Sequence, residues 1–185
     1  MQEAEVSLRV AIYYIKGHYT EKDVRVSLDG AHIKIKDKVH FDIDSFLSQQ
    51  GCVKVEGPAD SWQGTYCLDG YEPRLVISSI PGVGDVNIFL RTGKQLYVES
   101  KKGKEGNKSN SEYALMREAI GQLMTGCPLA GHVIPTVAVP YTKKSYELAS
   151  KWVQLKQICL VGISFILVHQ DGMIEYISAD CGAGV

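Results

Sequence analysis

Two carboxylates and a lysine are placed where this chain could do metal chemistry. Asp85 opens one strand-like stretch, and Glu99-Ser100-Lys101 closes the next. Between them Arg91-Thr92-Gly93 reads as a tight turn. Thr92 is unsuited to the positive φ of a two-residue type I′ turn, whereas Gly93 accepts it. A three-residue loop is therefore expected, with glycine in the left-handed position of a bulge. Leu90 then pairs with Lys94, Ile88 faces Leu96, Val86 faces Val98 and Asp85 faces Glu99. Val86, Ile88, Leu90, Leu96 and Val98 share one surface of this hairpin. Asp85, Asn87, Phe89, Gln95, Tyr97, Glu99 and Lys101 share the other. Opposed carboxylates repel unless a cation lies between them. Mg²⁺ or Mn²⁺, hard ions that prefer oxygen, suit such a pair. A divalent ion beside a lysine is what hydrolysis of a phosphodiester requires.

The elements that must position this hairpin alternate along the chain. Residues 6–16 fit a helical face through Leu8, Ala11, Ile12 and Ile15 and end at Gly17, although Val6, Leu8, Val10 and Ile12 also alternate as in a strand. Residues 24–28 and 31–36 read as a hairpin about Asp29-Gly30, with Lys34, Lys36 and Lys38 on one solvated face. A short helix is expected over 42–50, a loop with one strand near 64–68 over 58–73, and a strand over 74–80. Ser109 and Glu112 have capping-box spacing and open a helix that Gly126 and Pro128 end; Tyr113, Met116, Ile120 and Leu123 form its inward stripe. Residues 133–139 and 161–168 are apolar enough to be strands covered on both faces. Between them 145–158 reads as an amphipathic helix with Leu148, Trp152 and Leu155 inward. Asp171-Gly172 turns the chain into a return strand over 173–177. This order predicts an α/β fold, a mixed central sheet flanked by helices. Residues 1–40 are expected as a small α+β N-terminal extension, 41–178 as the core and 179–185 as a flexible tail.

A chain of 185 residues, 45% hydrophobic and 22% charged, is sufficient for one soluble domain with a real core. The net charge of −1 makes whole-molecule attraction to nucleic acid weak, so any basic surface is local. Residues 91–108 supply one, with six basic residues against two acids. Cys52, Cys67, Cys127, Cys159 and Cys181 are widely spaced and contain no C-x-x-C pair, which argues against a zinc site or disulfide framework and for a reducing compartment. No apolar run approaches the ~20 residues that span a bilayer, and residues 1–5 are acidic where a secretory signal is basic. A cytoplasmic protein without membrane contact is expected. Residues 103–109 follow a strand and open a helix, but Asn107 separates Gly106 from Lys108 and breaks phosphate-loop spacing. The histidines show no ligand spacing, and Tyr97 and Phe89 are expected to pack under a helix.

Through Asp85 and Glu99-Ser100-Lys101 the chain resembles the PD-(D/E)xK nuclease superfamily, which has the restriction-endonuclease-like fold. The family core runs helix, three strands, helix, strand, and the resemblance covers residues 42–177 in element order. Gly84 stands where the family has proline before its first acid. The resemblance implies that Asp85, Glu99 and the backbone carbonyl of Ser100 hold Mg²⁺ or Mn²⁺. It implies that Lys101 orients the attacking water and offsets negative charge. Gln122, with Glu118 one turn earlier, is implied as a further site residue on the following helix. Relatives that process DNA ends carry a tyrosine four residues after that glutamine, and Gly126 stands there instead. Lys102, Lys104 and Lys108 would grip backbone phosphates. The implied function is metal-dependent phosphodiester hydrolysis of nucleic acid, DNA before RNA, in restriction, repair or mobile-element biology. The alternative is a nucleic-acid-binding or assembly module that keeps the fold without cutting. A homodimer is left open.

Overall fold

Apolar side chains recur so densely over residues 4–15 that a helix there must be covered on most of its circumference. That helix, α1 (Glu3–Lys16), buries Ala4, Val6, Leu8, Val10, Ala11, Ile12, Tyr14 and Ile15. Glu3 and Glu5 in its first turn and Lys16 in its last complement the helix dipole. The computed structural model describes residues 1–29, 34–35, 38–39, 41–81, 84–103, 111–128 and 130–178. After α1 come β1 (Val24–Ser27), β2 (Lys34–Ile35), β3 (Lys38–Val39), α2 (Ile43–Gln49), β4 (Cys52–Glu56), β5 (Gly64–Leu68) and β6 (Leu75–Ser78). The central hairpin is β7 (Val86–Phe89) and β8 (Gln95–Ser100). α3 (Ser111–Gly126), β9 (Val133–Pro140), α4 (Lys143–Trp152), α5 (Lys156–Val161), β10 (Ser164–Val168) and β11 (Ile174–Ile177) complete the order.

The expected α/β class is observed. Nine strands form one mixed sheet in the order β11-β10-β9-β8-β7-β1-β6-β5-β4. α1 packs on one face, where Val24, Val26, Ile77, Val86, Ile88, Leu96 and Val98 join its apolar side chains. α3 and α4 cover the other face through Met116, Ala119, Leu123, Leu148 and Trp152, against Tyr97, Val137, Val139, Phe165 and Leu167. Alternate residues of β8, β9 and β10 enter opposite cores, which is why β9 and β10 read as unbroken apolar runs. Among the described residues no helix is long and apolar enough to cross a membrane.

α1 and β1 do not belong to an appendage. β1 lies in the middle of the sheet, parallel to β6 and antiparallel to β7. The hairpin expected about Asp29-Gly30 is therefore absent for β1, whose partners come from residues 75–78 and 86–87. Val24 and Val26 are almost fully buried there, a larger gain than a local ribbon gives. The other half of that expected hairpin, with Lys36, lies partly outside the described residues, as do the Ser109 cap and residues 179–185.

Three further expectations are corrected. The helix expected over 145–158 is two helices, because the inward stripe ends with Trp152 and Val153 and nothing holds Leu155 against the sheet; Leu155 is exposed and its backbone extended. Tyr113 is exposed as well, edge-on to Trp152, and Ala119 takes its place in the buried stripe of α3. Cys52, Cys67 and Cys127 are free thiols, but Cys159 is disulfide-bonded, against the expectation of cysteines without one.

Candidate active site

The hairpin has the register that its turn chemistry dictates. Val86 pairs with Val98, Asn87 with Tyr97, Ile88 with Leu96 and Phe89 with Gln95. Leu90 N donates to Lys94 O at 2.7 Å, Gly93 N to Leu90 O at 3.0 Å, and Gly93 holds φ of 81°. A residue with a Cβ rarely adopts that conformation, so glycine closes the loop and thereby fixes which residues meet at its open end.

Asp85 stands just before β7, held from both sides. Its amide donates to Val98 O at 2.9 Å, and its carbonyl accepts from Ser27 N at 2.8 Å. Its carboxylate reaches along the hairpin end, where Oδ2 accepts the Ser100 amide at 2.7 Å. Burial, then repulsion from Glu99, pushes the Asp85 carboxyl up to about 7, and the Ser100 amide only partly offsets this. The half-buried Glu99 is also raised, by burial first and by Glu3 in part, with Lys101 pulling the other way. The two acids expected to face one another are thus electrostatically coupled at the hairpin's open end.

Lys101 follows directly. Its amide donates to Ala138 O at 2.8 Å, extending the β8–β9 ladder by one residue. Its side chain is 5% exposed, and Nζ lies 3.4 Å from Glu118 Oε1 and 3.7 Å from Glu3 Oε1. An ammonium so buried requires partners, and these two carboxylates, from α3 and α1, provide them.

Glu3 was not among the residues singled out from the sequence. It reaches the site because α1 is docked on β8. Ser7 Oγ donates to Ser100 Oγ at 2.9 Å in a buried contact, and Ser7, one turn after Glu3, also bonds Glu3 O at 3.2 Å. Met1 N donates to Gly103 O at 2.8 Å, and Gly103 N returns a bond to Met1 O at 3.2 Å. Nothing local in residues 1–7 signals this docking.

The structure therefore gathers Asp85, Glu99, Lys101, Glu118 and Glu3. Gln122 lies one turn beyond Glu118 on α3, but its side chain is exposed and makes no hydrogen bond to Asp85, Glu99 or Lys101. Lys102 is exposed beside the site. Lys104 and Lys108 lie outside the described residues. Tyr97 packs beneath α3 as expected, its ring so close to Gly84 that a Cβ there would lie 2.7 Å from it. Phe89 instead remains exposed, with Lys22 Nζ 4.8 Å from its ring centre.

Among the described residues no three His, Cys, Asp or Glu side chains form a ligand set for a metal ion. Asp85 and Glu99 are a pair, and a pair fits Mg²⁺, which is commonly held by one or two carboxylates plus waters and phosphate oxygens. A cation between them would relieve the repulsion and burial that raise Asp85. In comparisons with known proteins, no family model, no curated protein and no solved structure matches this chain.

Proposed function

We propose that this protein hydrolyses phosphodiester bonds in nucleic acid, DNA before RNA, with Mg²⁺ or Mn²⁺. The observation that carries the reading is the buried carboxylate of Asp85 beside Glu99, with the Lys101 ammonium fixed two residues further on. Sheet topology adds support. With β2, β3, α2, β4, β5 and β6 inserted after β1, the elements α1, β1, β7, β8, α3 and β9 give helix, three strands, helix, strand, and β1, β7, β8 and β9 are consecutive neighbours in the sheet. That order favours a restriction-endonuclease-like core whose opening helix is α1, rather than the 42–50 segment.

Bound by Asp85, Glu99 and the Ser100 carbonyl, the metal would supply Lewis acidity and a water of lowered pKa. The chain's own residues orient and neutralise. Bonds from Ser100 and to Val98 fix the direction of the Asp85 carboxylate. Glu3 and Glu118 hold the Lys101 ammonium beside the acids, where it can donate to the attacking water or to a phosphate oxygen as charge develops. Lys102, followed by Lys104 and Lys108, would bind the flanking backbone phosphates.

The non-cutting module is the second reading, and one fact favours it: Lys101 is already ion-paired and buried, as a purely structural lysine would be. Nicking of supercoiled plasmid in Mg²⁺ or Mn²⁺ decides. Wild type should nick. Asp85→Ala, Glu99→Ala and Lys101→Met should each lower the rate by at least roughly a hundredfold, with circular dichroism showing an intact fold. Salt-sensitive DNA binding without nicking would establish the second reading. Equal rates in all four proteins would remove these residues from the chemistry.

A further inference from the structure

The opposite end of α1 carries a concave feature, built from different residues. After Lys16 the chain folds back, and Tyr13, Tyr14 and Tyr19 gather into one aromatic cluster. Tyr13 and Tyr19 stack at 5.6 Å and 23°, and Tyr14 meets Tyr19 edge-on at 5.6 Å and 64°. With Tyr176 from β11, and with His18 and Arg91, they line a cavity of about 360 Å³. That is within the size range of small-molecule sites.

The cluster is held in place at some conformational expense. A Cβ on Gly17 would lie 2.2 Å from the Tyr19 ring, so only glycine lets that ring lie back against the helix end. His18 then takes the left-handed turn, with φ of 55°, which a residue with a Cβ seldom adopts. Arg91 N donates to Tyr19 O at 3.0 Å, which ties the hairpin turn to the cluster and sets Arg91 at its rim.

Two properties describe what the cavity would accept. Tyr14 is only 8% exposed, yet its hydroxyl bonds no described residue, while no buried side-chain N or O among the described residues lacks a partner. The hydroxyl therefore opens into the cavity it lines. Burial, with Tyr176, Tyr13 and Tyr19 adding to it, raises the Tyr14 phenol, so it stays a neutral donor. The lining itself carries one charged group, Arg91, among the described residues. Arg91 is half exposed and has a loose partner, Glu21 at 3.4 Å, and no carboxylate is among the lining residues.

We propose that this pocket binds one nucleotide unit, a planar nucleobase carrying a phosphate. The base stacks against the tyrosine rings, Tyr14 Oη bonds a polar atom on its edge, and Arg91 takes the phosphate. The unit has two sources, a free mononucleotide or an unstacked nucleotide of a strand. The proposal does not rest on chemistry at Asp85: the residues are different and its test needs no cleavage.

Calorimetric titration in a chelator compares adenosine monophosphate, adenosine and inorganic phosphate. Fluorescence anisotropy follows a labelled single-stranded oligothymidylate, with adenosine monophosphate as competitor. Adenosine monophosphate should saturate the protein and bind more tightly than adenosine or phosphate. Tyr14→Phe, which keeps the ring, should weaken it by roughly threefold to tenfold. Arg91→Ala should weaken it by roughly tenfold and leave adenosine unchanged. Displacement of the oligonucleotide would assign the pocket to a strand as well, and binding without displacement to the free nucleotide alone. An oligonucleotide weakened by both substitutions, without mononucleotide binding, would assign it to the strand. The proposal is overturned if the mononucleotide does not bind and neither substitution moves the oligonucleotide affinity, or if both variants bind as wild type does.

Discussion

The two ends of the β7–β8 hairpin differ in how far along the chain their parts are gathered. At the open end, Asp85, Glu99 and Lys101 all belong to the hairpin or its immediate flanks, and distant helices add only Glu3 and Glu118. At the turn end, the hairpin contributes Leu90, Arg91 and Thr92, and the rest comes from α1 and the turn after it, with Ile174 and Tyr176 of β11. The charged end has a sequence motif because its spacing is set by strand pairing. The aromatic end has none, because its spacing is set by where α1 and β11 meet the sheet.

α1 spans both ends, with Glu3 in its first turn and Tyr13 and Tyr14 in its last. Leu8, fully buried between them, is the place to break the comparison. Leu8→Ala should lower stability by about 2–5 kcal/mol in urea denaturation. Nicking and nucleotide binding should then fall together as denaturant is added. Loss of one well before the other would show that α1 does not couple them.

A comparable effect separates the ends by pH. An unfolded aspartate titrates near about 3.9, whereas Asp85 in the folded chain is pushed up to about 7. Between those values the native state keeps a proton that the unfolded state has lost, so this group lowers stability as pH rises, and the loss is complete above the folded value. Asp85→Asn avoids the loss and can still accept the Ser100 amide. In thermal melts without metal the variant should be up to about 4 kcal/mol more stable than wild type at about pH 8 and nearly equal to it at about pH 4. Mg²⁺ should narrow the gap at the higher pH by binding wild type. The aromatic end should not respond: adenosine monophosphate affinity should be the same in both proteins.

The smallest effect lies at the turn. A Cβ on Gly93 meets nothing within 4 Å, so Gly93→Ala tests backbone strain alone. It should lower stability by about 1 kcal/mol. Because Arg91 sits in the same loop, nucleotide affinity should shift more than the nicking rate. The reverse order would place the register, not the loop, under the greater strain.

Much of the central hairpin was legible from its residues. Alternation of Val86, Ile88, Leu96 and Val98 and the demand for glycine at 93 are short-range constraints, and they fixed the pairing now seen. The same logic failed at Asp29-Gly30, where a good turn signal was outweighed by the burial that β1 gains between β6 and β7. Treating residues 1–40 as peripheral concealed Glu3 and the helix that carries it. Helical spacing places Gln122 one turn from Glu118, and α3 leaves its side chain exposed.

By itself, then, the sequence determined most of the elements, though not β4 or the break before α5, together with the register of β7 on β8 and the presence of two acids and a lysine at its open end, since each follows from periodicity and turn geometry over a few residues. Tertiary structure alone decided that β1 is central, that α1 brings Glu3 to Lys101, and that three tyrosines meet Arg91 around a cavity. Those contacts join segments far apart in the chain, and their positions depend on which apolar faces bury one another, a property of the whole core that no local window contains.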